Sequence, residues 1–480
     1  MSPKRRAVLF SLATACLASV AACAAPSDDS DPGMDSAEVV GGAFGDYNTP
    51  DRGNRWLKGV DVSTLTKGEE SRLANEDAMF DQLVDRIEGF QQQLVDQGIN
   101  QDVIRAFHAK TQACVRGEFQ VKVPAGFTAA KVGVFANDAS YPVWLRLSNG
   151  VAYFQKDKEV DVRGLAMKIM DVPGPKLNPG QETSTTQDFI AINTPTSFTT
   201  DAVSLIDFVE VTVAAKLQQQ RATDWASGVL SHLPLFVPKD ALAERFGMLA
   251  GMVGPGGYLV KPGNERLLAF LLSKLVPATW KQGSLLGARF WSQSAFAMGV
   301  DEGDPMTAQA REAAKLVFEP GVVVDASAPG AQQMPDGAWC QSTPKTPDTA
   351  DDNYLHTNLA TQMKQRDTCI VVKMQLQTDP VHQLIEDTTV EWQERDSPFT
   401  TVGFVRVPKV NLDDPSLGSK QAFCNNLAFT PWHALPDHRP LGNFQRARLK
   451  VYNALAVKRG AMADRATGAL VEPTSDQFRD

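Results

Sequence analysis

Residues 143–150 read Val-Trp-Leu-Arg-Leu-Ser-Asn-Gly. A strand turns successive side chains to opposite faces, so Trp144, Arg146 and Ser148 share one side while Leu145 and Leu147 share the other. The leucine face requires a core; a face carrying arginine and serine requires water or an anion. Runs of similar length surround it: "GEFQVKV", "AKVGVFA", "VRGLAMKIM" and "QDFIAIN", and later "ARFWSQSAFAMG", "AAKLVFEP", "TCIVVKMQLQ" and "TVGFVRVP". Their spacing predicts a meandering antiparallel sheet. Helical patterns separate and flank them. Glu69 to Gln97 has apolar residues at Phe80, Leu83, Val84, Ile87, Phe90 and Leu94, the repeat of an amphipathic helix. A second helix is expected over Asp102 to Cys114, more helix from Asp201 to about Leu275, and a last one after Asn443. Strands, helices, strands and a terminal helix predict an α+β fold, an antiparallel barrel with helices against it.

The amino terminus sets the expected compartment. Lys4, Arg5 and Arg6 precede an apolar run from Ala7 to Ala22, which Val20-Ala-Ala-Cys23 closes. This reads as a secretory signal over residues 1–22, and the Val-Ala-Ala-Cys sequence resembles a bacterial lipobox with Cys23 as the lipidated residue. The chain is thus expected to be exported, anchored to the outer membrane by a lipid or free in the periplasm. Residues 23–65 read as an acidic tether and lead-in loop, and residues 66–480 as one domain with a helical insertion at about 201–280. Removing the signal takes three of the 47 basic residues and none of the 56 acidic ones, which moves the net charge from −9 to −12. Nucleic acid is not an expected partner.

Beyond Cys23 stand Cys114, Cys340, Cys369 and Cys424, which allow three disulfide pairings; Cys340 with Cys369 is preferred because it would pin the intervening loop. Cys114 by itself reads as a buried thiol. No cysteine–histidine spacing suggests zinc. His433 and His438, in a proline-rich loop, read as turn caps or partners of an anion rather than metal ligands.

The last helix, "QRARLKVYNALAVKRG", puts Arg448, Tyr452, Leu455 and Arg459 at i, i+4, i+7 and i+11 on one face. If that face is buried, two guanidinium groups and a phenol go inside together, at a cost of several kcal/mol (~2–5) unless an anion meets them. If Leu449 and Ala456 define the buried face instead, the arginines are solvated. In "RAFHAK", residues 105–110, a histidine sits between Arg105 and Lys110, and in "DFIAINTP" alternation groups Phe189, Ala191 and Asn193 before Thr194-Pro195 ends the strand.

Taken in order, these segments resemble the haem catalases. Arg105-Ala-Phe-His-Ala-Lys110 resembles their distal-histidine motif, Arg146-Leu-Ser148 their Arg-Phe-Ser, and Arg163-Gly-Leu-Ala-Met-Lys168 their Arg-Gly-Phe-Ala-x-Lys. Asn193-Thr-Pro195 is similar to the distal asparagine motif, and Arg448-Leu-Lys-Val-Tyr452 to the segment holding the axial tyrosine, with Arg459 where that segment continues. "FWSQSAF", "VEWQERDSPF" and "FTPWHALPDHRPLG" resemble the shorter catalase-related branch.

The resemblance implies haem b with Tyr452 as the iron's axial ligand, Arg448 favouring the phenolate, and Arg105, Arg146 and Arg459 on the propionates. It implies His108 as the distal acid–base, with Ser148 orienting the imidazole and Asn193 bonding the peroxide. The substrate would be hydrogen peroxide or an organic or lipid hydroperoxide, handled by a catalase or peroxidase. A fatty-acid hydroperoxide isomerase or lyase on the same fold, or a non-catalytic haem-binding lipoprotein, are the alternatives. The sequence departs from the family's motifs at Thr111, where the motif has glycine, at Leu147, where the motif has phenylalanine, and in "NALAVKR" after Tyr452.

Overall fold

The computed structural model describes residues 54–197, 199–217, 282–343, 351–461 and 470–477. The expected signal, the lipobox Cys23, most of the tether and most of the 201–280 insertion lie outside the described residues.

Eleven strands form one antiparallel sheet: β1 (Thr111–Val121), β2 (Ala139–Asn149), β3 (Arg163–Ile169), β4 (Gln187–Ile192), β5 (Phe290–Trp291), β6 (Phe296–Ala297), β7 (Ala313–Val324), β8 (Gln332–Gln333), β9 (Trp339–Gln341), β10 (Thr368–Leu376) and β11 (Thr400–Val407). The order β10-β11-β1-β2-β3-β4-β5-β7 returns to β10, because β7 also pairs with β10 from Thr368 opposite Val322 to Leu376 opposite Ala314. Eight strands therefore close into a barrel, which leaves no free edge around the ring. Leu145, Leu147, Leu165, Met167, Phe189, Leu316, Phe318, Val372 and Val405 fill it. Each fully buried side chain of this size contributes about 1.5–3 kcal/mol.

Among the described residues five helices flank the barrel: α1 (Glu76–Asp96), α2 (Ala202–Leu217), α3 (Tyr354–Gln365), α4 (Gly418–Asn426) and α5 (Asn443–Lys458). In α1 the buried residues Phe80, Leu83, Ile87, Phe90 and Leu94 recur every three or four positions, as the sequence pattern requires. They join Ile206 and Phe208 of α2 and Phe444, Val451 and Leu455 of α5 in a second core outside the barrel. The α+β class, an antiparallel barrel with helices against it, is as the sequence predicts.

Two predicted elements are absent. Residues 102–110 are not helical. The backbone N–H groups of His108 and Ala109 donate to Gly150 O (2.7 Å) and Val151 O (3.0 Å), so long-range bonds replace the local ladder, and β1 starts at Thr111. "AKVGVFA" forms two single 3-10 turns rather than a strand. Gly133 there has φ +51, and a Cβ on it would lie 2.4 Å from His438 Nε2. Only glycine accommodates both the left-handed backbone and the ring.

Both disulfides are formed: Cys340 with Cys369 as preferred, and Cys114 with Cys424, so Cys114 is not a thiol. Within the described residues no helix is long and apolar enough to cross a membrane.

Candidate active site

The outer faces of β2, β3 and β4 look toward α5, and a cavity lies between them. Strand alternation decides what reaches it. Leu145 and Leu147 point into the barrel, which leaves Arg146 and Ser148 on the cavity side. Ile190 and Ile192 of β4 join them, and α5 contributes Arg448, Tyr452, Leu455, Ala456 and Arg459. The helix thus turns toward the cavity the face that carries the two arginines and the phenol. Arg105 and His108 enter from the extended segment before β1.

His108 has φ +59, a left-handed conformation that few non-glycine residues adopt. Its N–H bond to Gly150 holds that geometry and aims the ring over β3. Gly164 of β3 lies opposite Ser148 of β2. A Cβ on Gly164 would come within 2.4 Å of His108 Nδ1, so the missing side chain is what makes space for the imidazole. Nδ1 meets Ser148 Oγ at 3.2 Å. Burial, aided by the charge of Arg146, pushes the His108 pKa down to about 3, which keeps the ring neutral near pH 7.

The arginines are the unusual feature. Arg146 donates to His108 O (2.7 Å), Thr111 Oγ1 (2.6 Å) and Asn425 Oδ1 (3.2 Å). Arg105 donates to Asn425 O (2.7 Å) and to Leu427 O, and Arg459 to Leu427 O (2.9 Å). Arg448 donates to Gln445 Oε1 (3.1 Å), its guanidinium carbon 5.9 Å from the centre of the Tyr452 ring. Every one of these partners is neutral. Among the described residues none of the four arginines meets a carboxylate, and the described cavity wall carries none. Burial, then the neighbouring Arg459, brings Arg146 down to about 9; burial brings Arg459 to about 10. Burial, with Arg146 and Arg459 adding to it, also lowers Arg105 well below its ordinary range.

Seven of the eight predicted haem-site residues, Arg105, His108, Arg146, Ser148, Arg448, Tyr452 and Arg459, line this one cavity. Asn193 does not. Its Oδ1 accepts the Arg163 N–H at 2.6 Å just beyond β4, while its buried Nδ2 has no partner among the described residues. Sequence reasoning missed Gly164 and the Ala428-Phe429-Thr430 wall. Gly164 stood inside the motif "RGLAMK", and the left-handed backbone of His108 was the feature no pattern announced.

A second, more apolar cavity shares Phe107, His108, Arg448 and Tyr452 with the first. Ile206, Phe208, Val209 and Val213 of α2 face it, together with Val151, Val451 and the carboxyl of Asp161. Burial raises that carboxyl to about 6.

Elsewhere, ligand atoms of Asp188, His433 and Glu472 lie within 4.8 Å of one another. The Lys168 ammonium already occupies the middle of that group, 2.8 Å from Asp188 and 3.0 Å from His433 Nδ1, and supplies the cation it would need. His438 Nε2 accepts the Val134 N–H at 2.9 Å, the capping role its loop suggested.

No protein-family model matches the chain, and no curated protein matches it. Solved structures do. The chain is similar to a bacterial catalase at 14% identity over 93% of this chain and 74% of that one, with a TM-score of 0.44. It is similar to catalase A from Saccharomyces cerevisiae at 15% identity, covering 82% and 67% with a TM-score of 0.47, and to a fungal catalase at 13%, covering 87% and 72% with a TM-score of 0.44.

Proposed function

We propose that this protein binds haem b in the arginine-lined cavity and decomposes peroxide as a catalase or peroxidase. One observation carries the reading: Tyr452, with Arg448 one turn before it, shares a cavity with His108 and with Arg105, Arg146 and Arg459, none of which has a carboxylate partner among the described residues. Buried cations without anions are costly, and a ligand with two carboxylates satisfies them. Tyr452 would be the axial ligand, Arg448 would favour its phenolate, and the other three arginines would hold the propionates.

Bound haem iron supplies the two-electron chemistry that cleavage of a peroxide O–O bond demands. The chain supplies the proton movements. In the tautomer whose Nδ1–H donates to Ser148 Oγ, neutral His108 would use Nε2 to take a proton from one peroxide oxygen and return it to the other, which leaves as water. Asn193 is not part of the described wall of either cavity, so this reading gives it no contact with the substrate. For a catalase the net reaction converts two hydrogen peroxide molecules into two waters and one dioxygen.

The apolar second cavity favours a further reading, turnover of a fatty-acid hydroperoxide on the same site, with α2 facing the chain of the substrate. A non-catalytic haem carrier has less support, because it requires no histidine opposite the tyrosine. Export, with lipidation at Cys23, is proposed from the leader alone; radiolabelled palmitate incorporated by the wild type and not by Cys23→Ala tests it.

The deciding experiment is the absorption spectrum of hemin-supplemented protein, followed by oxygen-electrode recording on adding hydrogen peroxide. A tyrosinate-type spectrum that Tyr452→Phe abolishes, with prompt oxygen release, is expected. The same spectrum with no oxygen but consumption of a fatty-acid hydroperoxide selects the second reading. Protein that takes up no hemin refutes both.

A further inference from the structure

The arginine cradle is held from outside by a short strap. Residues Asn425, Asn426 and Leu427, at the end of α4, present backbone and side-chain oxygens to Arg105, Arg146 and Arg459. The strap then runs directly into Ala428, Phe429 and Thr430 of the cavity wall. The strap thus takes up at least one donor of each of the three guanidinium groups. Three guanidinium groups that line one cavity repel one another, and fixed neutral acceptors are what keeps them convergent.

Something must hold the strap itself. Cys424 is the one buried side chain of α4, and it is bonded to Cys114 of β1, 310 residues away in sequence. Cys114 lies directly opposite Arg146 in the β1–β2 register. A single cross-link therefore ties the strand position of Arg146 to the segment that accepts from its Nε. Thr111 completes the network: its hydroxyl accepts from Arg146 Nη2 and donates to Asn425 Oδ1, both at 2.6 Å. The ladder of β1 is irregular at the same place, between Thr111 and Ala113.

We propose that the Asn425–Leu427 strap, clamped by the Cys114–Cys424 disulfide and bridged by Thr111, is a positioning element that sets the affinity of the cavity for the carboxylates of its ligand. This rests on the haem reading and assigns the strap a part in it. The test is equilibrium titration with hemin and with iron protoporphyrin dimethyl ester, whose carboxylates are capped. Wild type is compared with Cys114→Ser/Cys424→Ser, Asn425→Ala and Thr111→Gly, with Cys340→Ser/Cys369→Ser as the control for losing a disulfide elsewhere. Hydrogen bonds to charged groups of this kind correspond to roughly ten- to hundredfold in affinity. Hemin binding should weaken by that factor in the double cysteine variant, less in the two single variants, and not in the control, while dimethyl ester binding changes little in any of them. Unchanged hemin affinity in the strap variants overturns the proposal, as does an equal loss for hemin and its ester, which would mark the strap as a general support of the fold. Wild type that binds neither compound refutes the haem reading, a result distinct from both. If the double cysteine variant does not fold, Asn425→Ala and Thr111→Gly still decide.

Discussion

Arg446 and Arg448 stand two residues apart on α5 and have opposite surroundings. Arg446 points back into the protein, where Nε meets Glu76 at 2.9 Å and Nη1 meets Glu70 at 2.6 Å and Glu386 at 3.0 Å. Arg439 reaches Glu70 from the other side. Burial lowers the Arg446 pKa, but Glu386, Glu70 and Glu76 more than offset this and the net shift is upward. Arg448, with Arg105, Arg146 and Arg459, faces a cavity and neutral oxygens. One set is neutralised by the chain; the other has no carboxylate partner among the described residues. A buried arginine is therefore a marker of a ligand only when its carboxylates are missing.

Substitution should separate the two sets, and the largest effect belongs to the paired one. Arg446→Met leaves three buried carboxylates around an absent cation and should cost about 3–5 kcal/mol of stability, read by urea denaturation of the haem-free protein. A loss below 1 kcal/mol would mean that the carboxylates are protonated or hydrated already. Next comes His108→Gln, which should leave hemin uptake intact and lower peroxide turnover by about 10² to 10⁴ in a steady-state assay; turnover at the wild-type rate would remove the acid–base role. Arg448→Met, the counterpart of Arg446→Met, should move stability by less than about 1 kcal/mol yet weaken hemin binding roughly tenfold. If it instead destabilised the protein as much as Arg446→Met, the contrast along α5 would collapse.

The change per pH unit is the finest comparison. The pKa of His108 is about 3 in the folded protein against an ordinary 6.5, so the unfolded chain binds the proton first as the pH falls. The stability that neutral His108 contributes is full above pH 6.5 and declines toward pH 3, by at most about 1.4 kcal/mol per pH unit. Denaturation of haem-free His108→Gln at several pH values should show a shallower acid slope. Some slope remains, since burial also lowers His438, to about 4.

Much of this was legible in the order of residues. Period-two alternation in "VWLRLSNG" separated Leu145 and Leu147 from Arg146 and Ser148, and the barrel keeps that division. The i, i+4, i+7, i+11 spacing of Arg448, Tyr452, Leu455 and Arg459 placed them together on one face, as found. Residues 102–110 misled because alanine, phenylalanine and lysine suit a helix, while the bonds that decide their conformation come from Gly150 and Val151, some forty residues on. The 3-10 turns at 128–135 escaped for a like reason: the apolar run suits a strand, and Gly133 against His438 overrules it.

The sequence alone determined which side chains each strand and helix can present, because local periodicity is a property of the backbone. Only the tertiary structure decided which of those faces meet and which charges find partners. It gave Arg446 its three glutamates, gave Arg146 a threonine and an asparagine, and left the cavity arginines without a carboxylate among the described residues. Charge compensation in a desolvated interior acts over a few ångströms between residues hundreds of positions apart, and no local pattern records it.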